Sequence, residues 1–340
     1  MAKSKIKIIA EVGVNHNGSI KSALRYIKAA KSAGADAVKF QLFSADKLVT
    51  RQAKTAKYQE SLTGNKNQFD LLKKLEITQN DIISLQREAK IQDIDFICTP
   101  FDIDSLKFLM DQKISAIKLS SGDFDNIFFH HEIIRRKYPV ILSSGMSDFS
   151  EIKKVIDLYI SKRHKMITLL HCVSVYPAEI KKLNLNFIST LKKLYPDLII
   201  GFSDHTNEIL TGALSCSAGA KVIEKHITFS NNFLGPDHKA SLTISNFKKY
   251  TKMIRLAQIS LGKEIKSIYN DELEIKKIAR KSLAYSKDLK KGNRISKGSM
   301  HALRPGNGIS PFEYKNLIGK ILKKDVKKNT LLRGSDFLNG

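Results

Sequence analysis

His205 in Ser203-Asp204-His205-Thr206 and His226 in Glu224-Lys225-His226 each close a short apolar run, the pattern of a buried strand. Two neutral imidazoles delivered at strand ends can hold one divalent cation with open positions, a Lewis acid that polarises a carbonyl. Carboxylates stand in the same kind of place: Glu11 in Ala10-Glu11-Val12-Gly13 and Asp237 in Gly235-Pro236-Asp237-His238. Lys39 and Lys118 end two further apolar runs and offer cations to an anionic substrate. Each residue has a plainer reading by itself. A lone histidine is usually a hydrogen-bonded core residue, Glu11 could be a salt-bridge partner, Asp237 a helix cap, and a lysine is usually solvent-facing. Their shared placement argues for a metal-assisted enzyme.

Strand ends need strands. Apolar segments recur at Ile6–Val12, Ala37–Phe40, Phe96–Thr99, Ala116–Leu119, Val140–Ser143, Ile167–Val173, Ile199–Ser203 and Lys221–Lys225. Between them lie helical patterns, such as Ile20, Ala23, Leu24, Ile27 and Ala30 ahead of Gly34, and Leu210–Ala218 ahead of Gly219. Eight strand–helix repeats with near-continuous apolar strands predict an α/β fold, a (β/α)8 TIM barrel whose chemistry sits at the C-terminal strand ends. The polar residues fall there. The polar stretch Thr50–Gln68 interrupts the alternation and is expected to be a long loop over the barrel mouth, suited to a substrate lid. Phe247–Leu261 reads as the last barrel helix, so the catalytic domain spans 1–262. Residues 263–281, charged and without apolar periodicity, read as a linker. Residues 282–340 carry short strand-like pieces between glycine turns, at Lys291-Gly292-Asn293 and Arg304-Pro305-Gly306-Asn307-Gly308-Ile309-Ser310, and read as a small second domain.

Composition bounds the rest. With 340 residues and 42% hydrophobic content the chain can bury a large core. No apolar stretch approaches the roughly 20 residues of a membrane helix. Met1-Ala2-Lys3-Ser4 runs straight into an alternating strand without a signal-peptide core, so the cytoplasm is the expected compartment. Cys98, Cys172 and Cys216 form no CxxC pair and read as reduced core thiols. The net charge of +25 is spread over nearly every helix, there is no Trp, and no basic run is interleaved with stacking aromatics. It reads as a solvated, cationic surface that gathers small anions, with no nucleic-acid or membrane partner.

The segments Ala10–Gly18, Ser203–Thr206, Glu224–His226 and Gly235–Leu242 resemble the sialic acid synthase family, over nearly the whole chain. Arg304–Ser310 resembles the antifreeze-like (SAF, β-clip) domain that the family appends to its barrel. The resemblance implies a transferase that condenses phosphoenolpyruvate with N-acetylmannosamine and water, giving N-acetylneuraminate and phosphate. The alternative is N,N'-diacetyllegionaminate synthesis from a 6-deoxy diacetamido hexosamine; the intact Gly235–Leu242 segment argues against the pseudaminate branch. It also implies a divalent metal on His205 and His226, Mn²⁺ first with Mg²⁺ or Co²⁺ as alternatives, and a homodimer with swapped SAF domains.

By motif, the resemblance assigns Lys39, Lys118, Thr99, Ser121, Ser143 and Ser203 to phosphoenolpyruvate. It assigns Glu11, Gln41, Tyr176 and Asp237 to the sugar, and sends the partner's Arg304 into the barrel mouth. Glu11, His226 and Asp237 carry the catalytic expectation, without a division of acid and base between the two carboxylates. Two departures bear on the acceptor. Val173-Ser174-Val175 stands where the family pattern often has asparagine or Thr-Glu, leaving Ser174 as the polar contact. Asp123 stands in Ser120-Ser121-Gly122-Asp123 where glutamate is more usual, one methylene shorter. Two readings compete from other classes: a metal-independent Schiff-base aldolase using Lys118 or Lys39, and a non-catalytic basic binding protein.

Overall fold

A computed structural model describes residues 5–55, 60 and 62–338. The chain divides into two units, Met1–Gly262 and Lys263–Gly340. In the first, eight strands form one parallel sheet: β1 (Lys7–Gly13), β2 (Ala37–Leu42), β3 (Asp95–Pro100), β4 (Ala116–Leu119), β5 (Val140–Ser143), β6 (Ile167–Cys172), β7 (Ile199–Asp204) and β8 (Val222–Thr228). Each pairs with the next, and β1 pairs with β8, closing the barrel predicted from the apolar segments. A two-residue strand, β9 (Leu242–Thr243), continues from β8.

Helices follow the strands: α1 (Ile20–Ser32), α2 (Gln79–Ile91), α3 (Ile103–Asp111), α4 (Ile127–Arg136), α5 (Phe149–Ser161), α6 (Asn186–Leu194), α7 (Thr211–Ser217) and α8 (Ile244–Ser260). Local chemistry starts several of them. Thr78 and Asp81 form a capping box on α2, Asp148 and Glu151 another on α5, and Asp102 caps α3 by accepting from Ser105 N–H. The main core lies between strands and helices and includes Ile8, Ala10, Phe40, Cys98, Phe202 and Ile223.

Strand alternation gives the barrel a second core. Ile9, Ala37, Ile97, Ala116, Ile141, Leu170 and Val222 pack into one interior cluster. Because side chains alternate along a strand, the residues two positions later face the same interior. Those are Glu11, Lys39, Thr99, Lys118, Ser143, Cys172 and Glu224. The interior therefore changes from an apolar plug to a polar chamber within one step along the strands.

Two sequence expectations change here. His226 does not close its strand, which runs on to Thr228. The stretch 50–68, expected as a lid, lies partly outside the described residues; on its described flanks Lys54 and Asn67 form an antiparallel bridge. A short helix, Gln68–Lys73, follows and buries Phe69 and Leu71.

The second unit is built on an antiparallel pair, β10 (Ser282–Tyr285) and β11 (Met300–Leu303), around Leu283, Tyr285, Ile295, Leu322, Leu332 and Phe337. The segment read as a linker holds a helix, α9 (Asn270–Ala279), with no buried residue. Asp271 and Glu272 in its first turn and Lys276 and Lys277 in its last complement the helix dipole, so charge order rather than apolar spacing marks it. Among the described residues no helix is long and apolar enough to cross a membrane.

Candidate active site

The polar chamber opens into a cavity of about 480 Å³ at the C-terminal strand ends. Its lining gathers Glu11, Lys39, Gln41, Thr99, Lys118, Ser121, Ser143, Ser174, Tyr176, Ser203, His205, His226 and Asp237. Thirteen residues chosen from sequence thus meet in one place. Leu71, Leu72 and Leu75, from the short helix and its end, add an apolar wall.

Charge organises the floor. Lys39 Nζ lies 2.9 Å from Glu224 Oε1 and 3.5 Å from Glu11 Oε2, all three buried. Gln41 Nε2 donates to Glu11 Oε1 at 3.1 Å, and Ser203 Oγ donates to Glu224 Oε1 at 3.1 Å. Burial pushes the Glu11 carboxyl up to about 7 against the pull of Lys39. Burial raises Glu224 too, but Lys39 and Lys118 outweigh it and hold that carboxyl below the usual range. Lys118 differs from Lys39. Its ammonium donates to the Leu119 carbonyl at 2.8 Å, and no carboxylate pairs with it among the described residues. Burial and then Lys39 lower its pKa to about 8.

Gly13 shapes the rim. At φ +55° it turns the end of β1, and an added Cβ would stand 3.0 Å from Glu11 Oε1 and 3.2 Å from Gln41 Nε2. Asp237 approaches from the loop after β8, its Oδ2 3.9 Å from His226 Nδ1, and burial raises its pKa to about 6. Two carboxyls that titrate near neutrality thus flank one chamber, the property required of groups that exchange protons with substrate.

The two imidazoles are adjacent, edge to face with ring centroids 5.5 Å apart, and Tyr176 stacks on His205 at 4.2 Å. His205 Nδ1 donates to the Val173 carbonyl at 2.9 Å, which can only accept, so the ring binds a cation through Nε2. Burial disfavours its charge, but Cys172, the Val173 carbonyl and Glu224 outweigh this and raise its pKa, so the cation must displace a proton there. Nε2 lies 3.3 Å from Ser203 Oγ. His226 Nδ1 is buried and without a hydrogen-bond partner. Burial and His205 hold its pKa well below the usual value, keeping the ring neutral as a ligand requires. These donors fit a divalent cation. Among the described residues no set of three or more His, Cys, Asp or Glu is arranged around an ion, so the protein would supply an incomplete shell with room for substrate oxygens.

Further buried polar atoms without hydrogen-bond partners line the same chamber: Thr99 Oγ1, Ser143 Oγ and Glu224 Oε2. An unsatisfied buried polar group costs roughly 1–3 kcal/mol, so their clustering marks surface prepared for a polar ligand.

One expected residue, Asp123, does not line the cavity; its carboxylate accepts from Ser120 Oγ and Asn126 Nδ2 and fastens the turn after β4, which its short side chain suits. Arg304 lies in the second unit, exposed, with Nε donating to the Ala279 carbonyl. Two residues given no role from sequence do line it. Glu224 could have been found by alternation, since it shares a face with His226. Cys172 follows from the same rule on β6; its thiol lies 3.8 Å from His205 Nδ1, and although burial raises its pKa, His205 outweighs this and lowers it to about 7.

Residues 26–266 match the model of the NeuB family, and residues 280–338 that of the SAF domain. An N,N'-diacetyllegionaminic acid synthase of Legionella pneumophila is 39% identical, over 96% of this chain and 92% of its own. One of Campylobacter jejuni, with the same name, is 39% identical over 97% and 99%. A solved N-acetylneuraminic acid (sialic acid) synthetase of Leptospira borgpetersenii, in complex with citrate, superposes with a TM-score of 0.71 at 31% identity, covering 80% of this chain and 90% of its own.

Proposed function

The chain belongs to the NeuB family, and from that membership we propose that it condenses phosphoenolpyruvate with an N-acetylated hexosamine and water, releasing phosphate and a nine-carbon 2-keto sugar acid. One observation carries this reading: a buried lysine without a carboxylate partner among the described residues, two carboxyls with pKa values raised toward neutrality and two adjacent imidazoles line a single cavity.

Lys118, with no carboxylate to neutralise it, takes an anionic group of phosphoenolpyruvate. Thr99 and Ser143 give it the hydroxyl donors that lack partners in the chamber. Lys39 is spoken for by Glu224 and Glu11, and acts by keeping those carboxylates in place beside the substrate. Bond formation joins the enol carbon to the aldehyde carbon, and the aldehyde oxygen gains a proton. Water then attacks the cationic carbon that bears the phosphate, giving up a proton, and phosphate leaves. Glu11 and Asp237 supply and receive these protons. His205 and His226 would hold a divalent cation, Mn²⁺ first with Mg²⁺ or Co²⁺ as alternatives, which would supply Lewis acidity toward the acceptor carbonyl.

N-acetylmannosamine stands first as acceptor on sequence motifs. The two relatives at 39% identity support the 6-deoxy diacetamido analogue ahead of it, and the apolar wall of Leu71, Leu72 and Leu75 suits a C6 methyl group. The test is phosphate release from phosphoenolpyruvate with each sugar, with Mn²⁺ and with EDTA, identifying products by mass. Release with either sugar that EDTA abolishes is expected; metal-independent turnover or silence with both sinks the reading.

The proposal includes a homodimer in which the partner's Arg304 completes the site. In support, Arg304 makes a single bond through Nε and keeps its terminal nitrogens for other uses. Mixing inactive His226→Ala with inactive Arg304→Ala should restore activity through heterodimers. No recovery despite verified subunit exchange counts against it.

A further inference from the structure

Two buried charges stand directly behind the histidines. Alternation places Asp204 between Ser203 and His205 on β7 and its continuation, and Lys225 between Glu224 and His226 on β8. Both therefore face away from the chamber, and neither lines the cavity. Strand pairing sets them opposite each other, Asp204 against Lys225, beside the pair Ser203 against Glu224. Their ion pair measures 3.0 Å, and both side chains are 0% exposed.

The pair is fully committed. Asp204 Oδ1 accepts from Thr206 N–H at 3.0 Å and Thr206 Oγ1 at 2.8 Å. Oδ2 accepts from Thr211 Oγ1 at 2.5 Å and Tyr250 OH at 2.9 Å. Lys225 Nζ donates to the Thr206 carbonyl at 2.5 Å and lies 5.3 Å from the Tyr250 ring centre. One carboxylate thus ties β7, the turn after it, β8, α7 and α8 together, at the level where both imidazoles emerge on the other face.

A buried ion pair gives little net stability over apolar residues of similar volume, because desolvation offsets the attraction. What it does give is direction. Its donors and acceptors are met in a single arrangement of Thr206 and the β7–β8 register, so backbone freedom next to His205 and His226 is removed.

We propose that Asp204 and Lys225 are positioning residues that set the spacing of His205 and His226, so that cation affinity and turnover depend on a pair that touches neither cation nor substrate. The inference rests on the reading that those histidines hold a divalent ion. Thr99, Lys118 and Ser143, which take phosphoenolpyruvate in this reading, stand on β3, β4 and β5, away from the pair, and Ser203 of β7 donates to Glu224.

The test compares the full-length parent with the double variant Asp204→Asn, Lys225→Met, which removes both charges together. Mn²⁺ binding is followed by electron paramagnetic resonance without substrate, melting in EDTA, and turnover by phosphate release. The expected result is a Kd for Mn²⁺ raised about 10-fold or more, a kcat lowered by a similar factor, and a KM for phosphoenolpyruvate within about twofold of the parent. The melting point stays within about 5 °C. A folded double variant with parental Kd and kcat overturns the proposal, as does one whose melting point falls while Mn²⁺ binding is untouched. If the double variant does not fold, Tyr250→Phe decides. It removes one donor to Asp204 without a change of charge, and a parental Kd there overturns the proposal. A parent that binds no Mn²⁺ sinks the metal reading itself, whereas parent and variant binding alike sink only this inference.

Discussion

Lys39 Nζ lies 2.9 Å from Glu224 Oε1 although their strands, β2 and β8, are not neighbours: β1 runs between them and contributes Glu11 to the same ammonium. Only inside a closed barrel do side chains two strands apart converge this way.

Lys39→Met leaves Glu11 and Glu224 buried face to face, and removing one partner of such a group costs about 3–5 kcal/mol. The loss should be largest at pH 8 and shrink toward pH 5. Glu11 already has a carboxyl pKa of about 7, which rises further without the cation, and its proton relieves the repulsion. Urea denaturation at both pH values checks this; an equal loss at each would remove the bridge as its source.

Lys118→Met should behave in the opposite way. The lysine has no carboxylate partner and burial already disfavours its charge, so the variant folds as well as the parent. The KM for phosphoenolpyruvate rises by about 10- to 100-fold, the worth of one charged hydrogen bond. Its lowered pKa of about 8 is also what a Schiff-base lysine needs. Treating the parent with pyruvate and borohydride should nonetheless leave the mass of the Lys118 peptide unchanged; a reduced adduct there would support the aldolase alternative.

His226→Ala is expected to lower kcat/KM by about 10³-fold, several kcal/mol of lost carbonyl polarisation. Its Nδ1 makes no hydrogen bond, so the metal-free variant gives up only the 3.9 Å approach of Asp237 there and melts within a few degrees of the parent. Melting curves with EDTA and with Mn²⁺ separate the two effects: the ion stabilises the parent and not the variant.

Asp237→Asn tests the raised carboxyl. Burial lifts its pKa from 3.8 to about 6, so the folded parent resists ionisation that the unfolded chain accepts. Relative to the variant, the parent loses stability as pH rises through 4 to 6, by about 3 kcal/mol, and the difference is constant above that range and absent below it. Denaturation in EDTA across pH 4–8 measures it. Parallel profiles would show that the carboxyl is hydrated in the folded state.

The sequence by itself determined the barrel and most of its chemistry. Near-continuous apolar runs separated by helical periods specify parallel strands covered by helices, since both faces of such strands must be buried. Alternation along those runs then fixes which polar residues share a face with the apolar plug: Glu11 two after Ile9, Lys39 two after Ala37, Lys118 two after Ala116. That is local stereochemistry; the thirteen residues that line the cavity were expected partly from strand ends and partly from the family resemblance. Even Glu224 was within its reach.

Tertiary structure decided what depends on neighbours across the sheet. Lys39 bonds Glu224 because closure of β1 on β8 brings β2 near β8, a distance no spacing along the chain encodes. Asp123 serves its own turn instead of the cavity because Ser120 and Asn126 reach its short carboxylate first. The pairing of Asp204 with Lys225 appears only once β7 and β8 are in register with α7 and α8 behind them. Lys39 and Lys118 are both lysines ending apolar runs, and only the fold separates a cation already neutralised by two carboxylates from one left to meet an anion.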